Sequence, residues 1–86
     1  MTNLNVTVYS RPNCQPCKAT YRALDKLGLD YYSVVDAAEP GNEGVADALK
    51  DRDHLASPVV IVMDAAGEVV DEWSGYRPHR IKEVLA

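Results

Sequence analysis

Tyr9-Ser10-Arg11-Pro12-Asn13-Cys14-Gln15-Pro16-Cys17-Lys18 decides how this chain folds. Ahead of it Leu4, Val6 and Val8 alternate with Asn5, Thr7 and Tyr9, the period-two signature of a strand. Residues 10–13 form a polar loop containing Pro12. From Cys14 the period lengthens. Tyr21, Leu24 and Leu27 recur at helical spacing, with Ala19, Thr20 and Ala23 as compact neighbours. Gly28 then stands where a left-handed cap closes a helix. The stretch therefore carries a strand into a loop and hands a cysteine to a helix N-terminus.

Working outward, residues 30–36 read as a second strand, rich in aromatic and β-branched side chains. Residues 37–44 are undecided: Glu39-Pro40-Gly41-Asn42 is turn chemistry, yet Pro40 also suits a helix's first turn. Val45, Ala48 and Leu49 predict a short helix whose Asp47, Lys50, Asp51 and Arg52 face water. Ser57-Pro58 precedes Val59-Val60-Ile61-Val62-Met63, a continuous apolar strand of the kind buried on both faces. Residues 64–67 make a hairpin turn and residues 68–73 return antiparallel. Ser74-Gly75-Tyr76-Arg77-Pro78 breaks that strand, and Ile81, Val84 and Leu85 mark a last helix with Pro78 in its first turn. The order β-α-β-α-β-β-α, with a parallel first pair and an antiparallel hairpin, is an α/β arrangement: a four-stranded mixed sheet with three helices on its two faces. That is the minimal thioredoxin/glutaredoxin fold.

With 86 residues, 47% of them hydrophobic, the chain is expected to be a single domain, residues 1–86, with one core. The longest apolar run, Val59 to Met63, is far too short to span a bilayer, so no membrane partner is expected. The start of the chain lacks the charged-then-apolar profile of a signal peptide, which points to the cytoplasm. In a reducing compartment two cysteines are catalytic or metal-binding before they are structural. The net charge of −4 argues against a nucleic-acid partner.

With Cys14 at the N-cap, Gln15, Pro16 and Cys17 become the first three helical residues. Unpaired amides and the positive end of the helix dipole then face the Cys14 sulfur and favour thiolate over thiol. Pro16 has no N–H, which leaves the Cys17 amide as donor. Cys17, three residues on, shares the helical face and can close a disulfide as the more buried, resolving thiol. Arg11 and Lys18 flank the pair, either raising the local positive potential or standing as solvated charges. Zinc would need four ligands, and His54 and His79 are isolated from each other, so no metal is expected. Read from its residues alone, Pro58 is a proline at a strand start.

Taken together, Val6-Thr7-Val8-Tyr9, Pro12-Asn13-Cys14, Ala23-Leu24-Asp25-Lys26, Ser57-Pro58-Val59-Val60 and Trp73-Ser74-Gly75-Tyr76-Arg77-Pro78 resemble the NrdH-redoxins, glutaredoxin-like in sequence and thioredoxin-like in activity. The last of these motifs narrows the resemblance most. It implies a small dithiol hydrogen donor without a cofactor, a monomer. Thioredoxin reductase would be its electron source and the large subunit of class Ib ribonucleotide reductase its acceptor. It also implies Cys14 as the attacking thiol, Cys17 as the resolving one and Pro58 as a cis proline. The partner-facing residues would be Arg11, Pro12, Gln15 and Pro16, then Ser57 and Pro58, then Trp73, Ser74, Gly75, Tyr76 and Arg77. Gln15-Pro16 departs from the family's usual valine-glutamine, and proline before the second cysteine is the thioredoxin arrangement, which predicts a more reducing potential. Asp53-His54 replaces the usual glycine and aromatic; His54 is read as solvated. Two alternatives stand beside this reading. One is a glutaredoxin or mycoredoxin reduced by a low-molecular-weight thiol, although no set of basic residues suited to the glutathione carboxylates stands out. The other is a zinc- or partner-binding module without turnover.

Overall fold

The computed structural model describes residues 4–28, 32–52, 54 and 56–85. Its elements are β1 (Asn5–Ser10), α1 (Gln15–Lys26), β2 (Ser33–Asp36), α2 (Glu43–Asp51), β3 (Val59–Met63), β4 (Val69–Ser74) and α3 (Pro78–Leu85), the order expected. The sheet runs β2-β1-β3-β4. β1 pairs parallel with β2 and antiparallel with β3, and β3 pairs antiparallel with β4.

Alternation along the strands sorts the core into two layers, because successive side chains leave opposite faces of a sheet. Val6, Val8, Val60 and Val62 point to one face and meet Leu24 of α1, Ile81 of α3 and Trp73. Val59 and Ile61 point to the other and meet Leu49 of α2 with Ala37. Central β3 is thus apolar on both sides, which explains its unbroken run. Gly28, at φ +78°, supplies the left-handed residue after α1.

Two boundaries differ from the sequence expectation, and a third, open in the sequence, is settled. β2 begins at Ser33 instead of residue 30, since its ladder with β1 runs from Thr7↔Ser33 to Ser10↔Asp36. Residues 29–31 lie outside the described residues. Tyr32, the aromatic that suggested a longer strand, stacks on Tyr21 of α1 with ring centroids 6.1 Å apart and donates its hydroxyl to Asp25. β4 spans Val69–Ser74, not 68–73: the Asp64 carboxylate accepts from the Glu68 N–H, keeping Glu68 in the turn, while Ser74 pairs with Val59. Pro40 belongs to the turn before α2, and the helix starts three residues later, after Asn42, whose side-chain amide donates to the Asp36 carbonyl.

Candidate active site

Asn13 turns the chain from strand to helix. It takes φ +58°, a left-handed backbone that asparagine tolerates better than most residues. Cys14 follows as the N-cap of α1 in extended conformation, and its Sγ accepts the Cys17 N–H at 3.2 Å. The two cysteines are joined as a disulfide with Cα atoms 5.3 Å apart, inside the range such bonds require. Pro16 sits in the first turn, where a missing N–H forfeits no intrahelical bond. Thr20, fully buried, donates its hydroxyl to the Pro16 carbonyl at 2.9 Å and ties that turn to the body of the helix. Cys17 is 2% exposed while Cys14 is half-buried, so the two sulfurs differ in access as the helical placement predicts. Arg11, Pro12, Gln15, Pro16 and Lys18 are exposed around them.

The Ser57–Pro58 bond is cis. Pairing brings it to the cysteine end of the sheet: Tyr9, at the end of β1, lies opposite Val59, and Val59 in turn lies opposite Ser74. The loop carrying Cys14, the Ser57-Pro58 step and the segment after β4 therefore leave the sheet at one edge. A backbone bond joins the last two, the Gly75 N–H donating to the Pro58 carbonyl at 2.7 Å. Gly75 reaches it with φ +82°, and Arg77 Nε donates back to the Ser74 carbonyl at 3.1 Å, curling the loop into α3. Trp73 is buried beneath with the Arg80 guanidinium 5.9 Å above its ring, while Tyr76 and Arg77 are exposed.

His54 is not solvated. Its side chain is 10% exposed, and Nε2 lies 2.7 Å from Glu72 Oε1. Arg52 grips the same carboxylate with two guanidinium nitrogens. These bonds, Arg52's foremost, hold the Glu72 carboxyl down to about 2 although partial burial pushes the other way. Nothing in the local sequence marks Glu72, because its partners are 18 and 20 positions away. The fold also gathers basic side chains that looked scattered: Arg52, His54, Arg77 and Arg80 line one cleft of about 380 Å³ with Glu72 and Trp73. Arg52 is committed there to Glu72 and Arg80 to Asp71. Among the described residues no cluster of three or more His, Cys, Asp or Glu could hold a metal, and no helix is long and apolar enough to cross a membrane.

A disulfide formed from a helix's N-cap, set at the same end of the sheet as a cis proline, defines the class: a thiol–disulfide oxidoreductase on the thioredoxin-type fold. Comparison with known proteins narrows this. The glutaredoxin family model matches residues 6–66. The glutaredoxin-like protein NrdH of Escherichia coli K12 is 33% identical over 82 residues, covering 94% of this chain and 89% of that protein. The gene 56 protein of mycobacterium phage D29 is 32% identical over 82 residues, covering 93% and 81%. The solved structure of the E. coli NrdH-redoxin superposes with a TM-score of 0.79 at 29% identity, covering 95% of this chain and 96% of that one. Spinach chloroplast thioredoxin f, at 20% identity and a TM-score of 0.74 over 98% of this chain and 74% of its own, shares the fold. The chain belongs to the glutaredoxin family, among its NrdH-redoxins.

Proposed function

We propose that the protein is a cytoplasmic, monomeric dithiol hydrogen donor. Thioredoxin reductase reduces it, and it reduces the large subunit of a class Ib ribonucleotide reductase. The carrying observation is the asymmetry of the cysteines: Cys14 caps α1, accepts the Cys17 amide at 3.2 Å and is the more accessible sulfur, whereas Cys17 is 2% exposed. In the reduced protein the same amide and helix dipole favour a Cys14 thiolate. That thiolate attacks a substrate disulfide, forming a Cys14–substrate bond and expelling the substrate's other sulfur as a thiolate. Cys17 gives up its proton and attacks Cys14 Sγ, releasing the second substrate thiolate. Two electrons pass to the substrate, whose thiolates take up two protons, and the Cys14–Cys17 disulfide is left behind. No metal or organic cofactor enters the cycle. At the same end of the sheet as the cysteines, the backbone at Ser57 offers an extended substrate strand a place to pair.

The choice of partners is supported by the similarity to NrdH proteins, one of which is described as having a thioredoxin-like activity profile. An NADPH-coupled assay tests it, comparing thioredoxin reductase with glutathione plus its reductase as the electron source. Turnover is expected with thioredoxin reductase. Turnover through the low-molecular-weight thiol alone would overturn the reading.

A further inference from the structure

The chain has 13 acidic residues against nine Lys and Arg, yet α1 reverses the balance. Lys18, Arg22 and Lys26 recur on it every four residues, all exposed, with Asp25 as its sole carboxylate. Helix stability does not account for this. Like charges four apart weaken a helix, and Lys18 stands near the positive end of the dipole. Arg22 and Lys26 border a cleft of about 370 Å³ between α1 and α3, and Lys82 of α3 is also part of its lining. Apolar Ala19, Ala23 and Ile81 line it as well, and among the described residues no carboxylate does. Among the described residues none of the three cations has an ion-pair partner; the ion pairs involve Arg52, His54 and Arg80 instead. Tyr76, 44% exposed in the lining, directly follows the Gly75 that is bonded to Pro58, which links this cleft to the loop after β4.

An apolar lining with basic side chains, on a molecule otherwise acidic, complements an apolar stripe flanked by carboxylates. We propose that this cleft docks an acidic amphipathic segment of the protein whose disulfide is exchanged, holding it while the disulfide reaches Cys14. The inference rests on the dithiol-exchange reading and adds the chemistry of the partner. Because Arg22, Lys26 and Lys82 are exposed, they act at a distance as well, speeding encounter with an acidic partner in a salt-dependent way.

The test separates docking from redox chemistry by using a cysteine-free probe. A labelled amphipathic peptide of about 15 residues, with leucines at helical spacing and flanking glutamates, is titrated with oxidised protein by fluorescence anisotropy, alongside its glutamine counterpart. The glutamate peptide is expected to bind about tenfold tighter at about 20 mM salt, with the advantage shrinking to about twofold or less near 0.5 M. The combined variant R22Q/K26Q/K82Q is expected to erase the preference, while K50Q on α2 retains it. Equal binding of the two peptides at low salt, or a preference surviving the triple variant, overturns the proposal. Reduction of the small disulfide 4,4′-dithiodipyridine reports the cysteine chemistry separately and should proceed equally in the wild type and the triple variant. Its absence in the wild type would count against the dithiol function, while the anisotropy result still decides docking.

Discussion

Replacing Glu72 by glutamine removes one charge from a contact that ties the end of α2 to β4. Arg52 Nε donates to Glu72 Oε1 at 2.8 Å, a second guanidinium nitrogen closes on Oε2, and His54 Nε2 approaches Oε1 at 2.7 Å. Arg52's bonds are the largest cause of a carboxyl held at about 2 in place of 4.5, with partial burial opposing them and His54 adding to them. The group's folded value is depressed, so its stabilisation is complete above 4.5 and lost as pH falls toward 2. Unscreened, such a difference is worth about 3 kcal/mol. The Arg52 side chain is 45% exposed, however, and water screening reduces the expected contribution to about 1 kcal/mol. Urea unfolding of wild type and E72Q should therefore show a gap of about 1 kcal/mol at neutral pH, with matching m-values. Between pH 4.5 and about 2.5 the gap should narrow progressively. A gap constant across that range, or one that widens on acidification, refutes the assignment of the stabilisation to ionised Glu72.

Three further outcomes follow from the site. Cys17→Ser should accumulate a mixed disulfide between Cys14 and substrate on non-reducing gels, and Cys14→Ser should react with neither substrate nor reductase; equal trapping by both contradicts their separate roles. Gly75→Ala meets no atom within 4 Å of the added Cβ, so its cost reduces to the left-handed backbone at φ +82°. That is about 1 kcal/mol in urea titration, and a loss above about 3 kcal/mol would mean that the Pro58 contact had also broken. Equilibration with a thioredoxin redox couple should place the Gln15-Pro16 protein at a more reducing potential than its Pro16→Tyr variant by about 30 mV, equivalent to about 1.4 kcal/mol. An unchanged potential in that variant removes Pro16 from the account.

The sequence disclosed what local chemistry encodes and missed what pairing encodes. Val6 and Val8, then Leu24 and Leu27, change period across Cys14, so strand, loop and helix were legible, as was the N-cap. Gly28 marked the end of α1 because few other residues adopt its φ of +78° so readily. Asn13 carried a comparable signal for its left-handed turn, and it passed unread. The ends of β2 and β4 could not be found locally: Ser33 begins its strand because Thr7 stands opposite, and Ser74 remains in its strand because Val59 does. His54 looked solvated for the same reason, since its partner Glu72 stands 18 positions away.

That same long-range pairing explains why a motif without a thiol characterises the site as much as the cysteines do. Val59 is flanked by Tyr9 on one side and Ser74 on the other, so one rung of the sheet fixes the spacing of all three segments at this edge. Cys14 lies five residues beyond Tyr9, Pro58 immediately before Val59, and Gly75 immediately after Ser74. The Gly75 N–H then occupies the Pro58 carbonyl, one residue beyond Ser57. On the proposed function, a substrate strand pairing at Ser57 would meet the Cys14 loop and the exposed Tyr76-Arg77 turn at this end of the sheet. Glu72, two residues before Ser74, holds Arg52 and His54 against β4. The cysteines determine which bond is exchanged. On the proposed function, the segment from Glu72 to Arg77 is what shapes the way a chain is presented to them.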